Sequence, residues 1–316
     1  MKLATFVLQS DPQFQRVGIL ANDRLIDLEL ALRVISPLSA LPIQSMRHLL
    51  ELGEDGMKLA GAVARQAAST DHHMLASASF HLDEVTFLPP VTNASKFLCV
   101  GKNYRSHLAE LQKAGLITEM PTEPTGFIKL NSCLTGHRSD VVRPATVTKL
   151  DYEPELVFVL GKRAFQIAPE NAFDYVAGIT LLNDLTCRDT QKREVVSGSR
   201  FWSGKNAPGF GPLGPYLITL DEVADPYDLW VTCSVNGQLR MRVNTSEQIW
   251  KLPTIIAHFS RLMPLEPGDM ISTGAPGGVA VGKQNAEALF LKPGDVVECA
   301  FEAPRMVLSN RIVAPY

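Results

Sequence analysis

The sequence predicts a strand-rich α+β protein, with a small α+β domain over residues 1–88 and a larger β-rich domain over 92–316. Three observations carry that expectation. Short apolar runs separated by Gly/Pro turns dominate from residue 96 onward. Helical periodicity is confined to 43–68 and 244–263, and the double proline Pro89-Pro90 separates the two textures.

Taken in order, residues 3–8 read as a strand, and 16–20 and 24–28 flank a turn at Ala21-Asn22-Asp23 as a hairpin would. Leu49, Leu50, Met57, Leu59, Ala60, Val63 and Ala64 recur at helical spacing, interrupted by Gly53 and Gly56. Strands are then expected at 97–100, 125–130, 156–160, 176–182, 217–219, 230–235, 270–272, 296–301 and 311–313. Glu266-Pro267-Gly268-Asp269 and Lys292-Pro293-Gly294-Asp295 read as tight turns between strands. A helix over 244–263 would place Ile249, Leu252, Ile255, Ile256, Phe259 and Leu262 on one stripe.

A composition 46% hydrophobic and 20% charged, with net charge −3, is that of a globular protein. It offers no electrostatic footprint for nucleic acid or an anionic membrane, so an anionic substrate needs local basic residues. The five cysteines are widely spaced and lack a C-x-x-C, which argues against a disulfide framework and a zinc–thiolate site. With no apolar run near the ~20 residues of a membrane span and no signal-like h-region, a cytoplasmic location is expected.

Glu153 and Glu155 sit two apart, so in extended backbone both side chains face one side, at the rim of an apolar strand. Two like charges there repel unless a cation or a proton intervenes. A second apolar strand ends in Asn183-Asp184, giving a third carboxylate at a strand end. Three carboxylates with no Cys or His nearby describe a hard oxygen site for Mg²⁺, Mn²⁺ or Ca²⁺ rather than zinc. His107 and Glu110, three apart, would meet on one helical turn, where a carboxylate raises the basicity of an imidazole. Gly277-x-x-x-x-Gly282-Lys283 superficially matches a phosphate loop, but Gln284 follows where the Mg²⁺-binding hydroxyl would stand.

These elements, in this order, resemble the fumarylacetoacetate hydrolase family. Its G-x-N-Y-x-x-H-x-x-E stands at 101–110, D-x-E-x-E-L at 151–156, N-D-x-[ST]-x-R-D-x-Q at 183–191 and T-G-[TA]-P-x-G-[VT] at 273–279. The resemblance covers about residues 95–316 and implies a mixed β-sandwich roll and a homodimer. It implies Glu153, Glu155 and Asp184 as metal ligands and His107 and Glu110 as a catalytic dyad on a lid extending through 112–123. Lys205 is implied as the active-site lysine. Arg188, Gln191, Thr273, Gly274, Lys129 and Tyr104 are implied around a small 2-oxo acid substrate. Every ligand and dyad position is filled, which argues against a non-catalytic binding protein on the same scaffold. Ala207, Pro208 and Leu130 depart from the family's Phe, Asp and Pro. Loss of a ring and an acid after Lys205 leads to the expectation of a substrate larger than oxaloacetate. That would be an acylpyruvate-like 2,4-dioxo acid or aromatic ring-cleavage product, hydrolysed at a C–C bond to pyruvate and a carboxylic acid. Decarboxylation, isomerisation or hydration of a 2-oxo acid is the alternative.

Overall fold

A computed structural model describes residues 1–37, 42–69, 72–113, 122–198 and 202–315. Among these, eleven strands form one mixed sheet and five form a second. The expected strands are present. Several elements were not anticipated, two of which shape the cores. A helix, Leu28–Ile35, follows directly on the strand Arg24–Asp27, because Asp27 accepts from the Leu30 N–H and caps its first turn. An edge strand, Gln238–Asn244, pairs with Trp230–Val235. The helix expected over 244–263 is shorter: Pro253 sets its start, and it runs Leu252–Ser260. The two Pro-Gly turns form as expected, with Gly268 and Gly294 at φ of 82° and 99°, values that favour glycine.

The strand Pro154–Leu160 lies deep in the large sheet, antiparallel to Val176–Asn183 on one side and Met270–Ser272 on the other. Its alternation sorts the protein into two cores. Leu156, Phe158 and Leu160 face the second sheet, meeting Val231, Cys233, Val297 and Phe301. Val157 and Val159 face the other way, into a core completed by Leu28 and Leu32, by Leu49 of Met46–Glu51 and by Val63 of Gly53–Ala68. A strand buried on both faces must be apolar throughout, which is why no polar residue interrupts 156–160. The N-terminal strand Lys2–Leu8 pairs with Leu217–Thr219, so the large sheet runs continuously across the expected boundary at 88–92. No helix among the described residues is long and apolar enough to cross a membrane.

Candidate metal centre

Glu153 and Glu155 share the parity of Val157 and Val159 and so emerge on the helix-side face at the start of the strand. Sheet register delivers the third carboxylate. Pro154 pairs with Asn183, the Asp184 N–H donates to the Glu153 carbonyl at 2.8 Å, and the Glu153 N–H donates to Asn183 Oδ1 at 2.9 Å. One oxygen from each of Glu153, Glu155 and Asp184 can be chosen so that all lie within 4.8 Å of one another, and all three residues are buried.

Such a cluster is unstable without positive charge. Lys129, just past the strand Thr125–Ile128, donates to Asp184 Oδ1 at 2.7 Å and to the Lys205 carbonyl at 2.6 Å. Lys205, on the short helix Ser203–Asn206, donates to Glu153 Oε2 at 2.6 Å and also to Asp184. Arg188, opening the helix Arg188–Val196, reaches Glu153 Oε1 at 2.6 Å and Asp151 Oδ2 at 2.8 Å, while Gln191 accepts its Nη1 at 2.9 Å. Asp151 is anchored in turn by the N–H groups of Tyr152, Ala280 and Val281. Four buried carboxylates therefore meet three buried cations.

The imbalance falls on Glu155. Burial raises the Glu153 carboxyl, but Lys205 and Arg188, with His107 adding, outweigh it and hold Glu153 at about 2. Burial and then the Asp184 charge push Glu155 well above the usual range; Lys205 only partly offsets this, and the Ser272 hydroxyl is its hydrogen-bond donor. A divalent cation would complete this charge balance, and an all-oxygen donor set suits Mg²⁺ or Mn²⁺. The residues present fit the metal that the sequence implies.

The dyad lies on the helix Arg105–Lys113, with His107 Nδ1 and Glu110 Oε2 3.5 Å apart. The glycine loop that resembled a phosphate cradle holds this helix instead. The Gly277 N–H donates to Ser106 Oγ at 3.1 Å and the Gly278 N–H to Glu110 Oε1 at 2.8 Å. A Cβ on Gly282 would stand 2.7 Å from the Glu110 carboxylate, so a side chain there would push the carboxylate aside. Of the expected lid segment 112–123, residues 114–121 lie outside the described residues.

The other expected contacts are placed less directly. Tyr104 is wholly buried, its hydroxyl accepting from Gln248 at 3.1 Å. Thr273 donates through both N–H and Oγ1 to the Leu156 carbonyl. Gly274, at φ 91°, passes so near the Val100 carbonyl that a Cβ would sit 2.5 Å from it. Thr273 thus fastens the loop to the ligand strand, and Gly274 lets it pass close to the strand Phe97–Gly101. Ala207 packs on the inter-sheet core and Pro208 is exposed, so their replacement does not by itself enlarge the carboxylate site. Sequence reasoning gave no role to Asp151, Asn183, Asn206 or Ser272. Asp151 shares the parity of Glu153 and Glu155, a signal available in the sequence. Asn206, which ties the Lys205 helix to the backbone of Ile128 and Leu130, carries none.

A carboxylate triad in a β-rich sandwich, with a His–Glu pair docked beside it, defines a class of metal-dependent enzyme. The chain belongs to the fumarylacetoacetate hydrolase family: the family's model, Fumarylacetoacetate (FAA) hydrolase C-terminal, matches residues 96–313. Among its relatives, the mitochondrial oxaloacetate tautomerase fahd2 of Xenopus laevis is 34% identical over 304 residues, covering 96% of this chain and 87% of the relative. Oxaloacetate tautomerase YisK of Bacillus subtilis (strain 168) is 36% identical over 302 residues, 94% of this chain and 95% of its own. A maleylpyruvate hydrolase from Sphingobium sp. SYK-6, solved with manganese(II) and pyruvate, superposes with TM-score 0.74 at 26% identity over 100% of both chains.

Proposed function

We propose that this enzyme tautomerises a small 2-oxo dicarboxylic acid of the oxaloacetate kind, interconverting its keto and enol forms. Support comes from the buried oxygen triad together with likeness, over nearly the whole chain, to two relatives named oxaloacetate tautomerase. The likeness carries the choice of reaction. It favours the isomerase alternative over the C–C hydrolysis expected from the loop after Lys205.

Tautomerisation moves one proton between C3 and the C2 oxygen and needs neither water nor a leaving group. It requires a stabilised enolate and a group that gives and takes a proton. A divalent ion held by Glu153, Glu155 and Asp184 would contribute Lewis-acid stabilisation of the enolate charge. Lys205, already at the carboxylates, would add a positive charge beside the developing oxyanion. Arg188 is committed to Asp151, Glu153 and Gln191 and so acts by fixing Glu153. His107 would carry the proton at C3, with Glu110 holding its ring. A homodimer belongs to the same reading and rests on family membership; light scattering that returned a monomer mass would remove it.

The test follows loss of enol absorbance of oxaloacetate with Mg²⁺ or Mn²⁺, beside pyruvate release from oxaloacetate and from acylpyruvates of increasing arm length. The expected result is enol–keto conversion without pyruvate. Cleavage of an acylpyruvate with kcat/KM at least tenfold higher, about 1.4 kcal/mol of transition-state binding, would replace this reading with the hydrolase. The manganese- and pyruvate-bound maleylpyruvate hydrolase is the observation favouring that second reading.

A further inference from the structure

The cysteines take no part in the chemistry above, yet sheet register sets two of them face to face. Cys233 on Trp230–Val235 stands opposite Cys299 on Val296–Phe301. The Asn236 N–H donates to Val296 and the Glu302 N–H to Trp230, so the alternation of an antiparallel ladder leaves 233 and 299 as a non-hydrogen-bonded pair. Pairs of that kind hold their Cα atoms about 4.5 Å apart, within the ~4.4–6.8 Å that a disulfide bridges. Both thiols are reduced, and both residues lie in the inter-sheet core.

Access and consequence follow from their neighbours. Met241 is the cross-strand partner of Cys233 on its other side, and the ladder breaks in a bulge between Cys233 and Ser234. Met241 lies on the edge strand Gln238–Asn244, where it is the single buried residue. An edge held by one buried side chain beside a bulge is a place for local opening. Met241 also touches the glycine loop: a Cβ on Gly278 would lie 2.7 Å from the Met241 Cβ. Gly278 in turn donates to Glu110. A chain of contacts therefore runs from Cys233 through Met241 and Gly278 to the His107–Glu110 dyad.

We propose that Cys233 and Cys299 are a reversible thiol–disulfide site, closed by a low-molecular-weight disulfide, whose closure disturbs the Glu110 latch. One cysteine thiolate attacks the oxidant's S–S bond, forming a mixed disulfide and releasing one small thiol. The second thiolate then attacks the protein sulfur of that mixed disulfide and releases the other small thiol. Two electrons pass from the two cysteines to the oxidant, and their two protons end on the released thiols. Burial pushes the Cys233 thiol well up, so reaction waits on opening of the edge strand. The effect on turnover rests on the dyad reading above; the bond itself does not.

The experiment exposes the native full-length protein to glutathione disulfide, quenches with alkylating reagent under denaturing conditions, and maps peptides by mass spectrometry. Alkylation of three of the five cysteines is expected, with one cross-linked peptide joining 233 to 299 that is missing from Cys233→Ala and Cys299→Ser. Turnover should fall toward that of His107→Ala with Mn²⁺ affinity unchanged, and dithiothreitol should restore it. Folding of both variants is checked by circular dichroism. Five alkylatable cysteines after prolonged exposure, or only mixed disulfides with the oxidant, would overturn the site. A 233–299 bond with unaltered turnover would overturn the coupling to Glu110, while the His107→Ala comparison judges the dyad reading separately.

Discussion

Glu153 and Asp184 are fixed twice over, by the register of two paired strands and by three buried cations reaching them from separate segments, while Glu155 is held by its strand and by the Ser272 hydroxyl. His107 and Glu110 sit on a nine-residue helix whose docking to the glycine loop relies on two backbone N–H groups and the close fit at Gly282. The first arrangement resists displacement because moving Glu153, Asp184 or a cation paired with them strands a buried charge. The second is held by contacts whose loss would strand no buried ion pair, which suits the part the proposed reaction assigns to it. On the function proposed above, a charge-locked carboxylate site and a helix docked by backbone contacts divide the work between holding the metal and carrying the proton.

The largest effects should come from the rigid half, and two substitutions there should diverge. Asp184→Asn removes the partner of both Lys129 and Lys205. It should abolish turnover and destabilise the metal-free protein by roughly 3–5 kcal/mol, the cost of leaving buried charge uncompensated. Glu155→Gln should also abolish turnover and Mn²⁺ binding, yet leave the metal-free protein as stable as wild type or more so. Burial and Asp184 already oppose its charge, and no cation pairs with it alone. Denaturant melts and calorimetry with Mn²⁺ separate these outcomes. Equal destabilisation by both would break the assignment of the imbalance to Glu155.

The docked half predicts smaller losses of a different kind. His107→Ala should lower kcat by about 10²–10⁴, the span of a general acid–base contribution, with Mn²⁺ affinity unchanged. Glu110→Gln should reproduce part of that loss. Wild-type turnover by His107→Ala would remove the dyad from the chemistry. Smaller still, Gly282→Ala crowds the Glu110 carboxylate without touching His107 or the ligands. It should lower kcat by less than His107→Ala and leave the melting transition in place; a large drop in stability would mean that the loop is a structural keystone rather than a latch.

The same division describes what could be read without coordinates. Glu153 and Glu155 were legible because a strand's period of two is a local property, visible in any five residues. Asp184 was legible as the residue ending an apolar run, and His107 with Glu110 as one helical turn. The helix Leu28–Ile35 was missed because its cap, Asp27, ends a strand with no intervening turn signal. That Ala207 packs on the inter-sheet core and Pro208 is exposed was not legible, because sequence spacing does not say which way a loop residue faces.

By itself the sequence determined the family, the alternation that puts the carboxylates on one side, and the Pro-Gly turns between strands. The tertiary structure decided which charges answer which. Lys129 meets Asp184 across 55 positions and Lys205 meets Glu153 across 52. Cys233 meets Cys299 only through the register of two strands. The physical reason is that backbone periodicity fixes direction over a few residues, whereas the partner at a given spot depends on which strands pair and in what register. A shift of one residue in strand register would turn Glu153, Glu155, Cys233 or Cys299 to the opposite face.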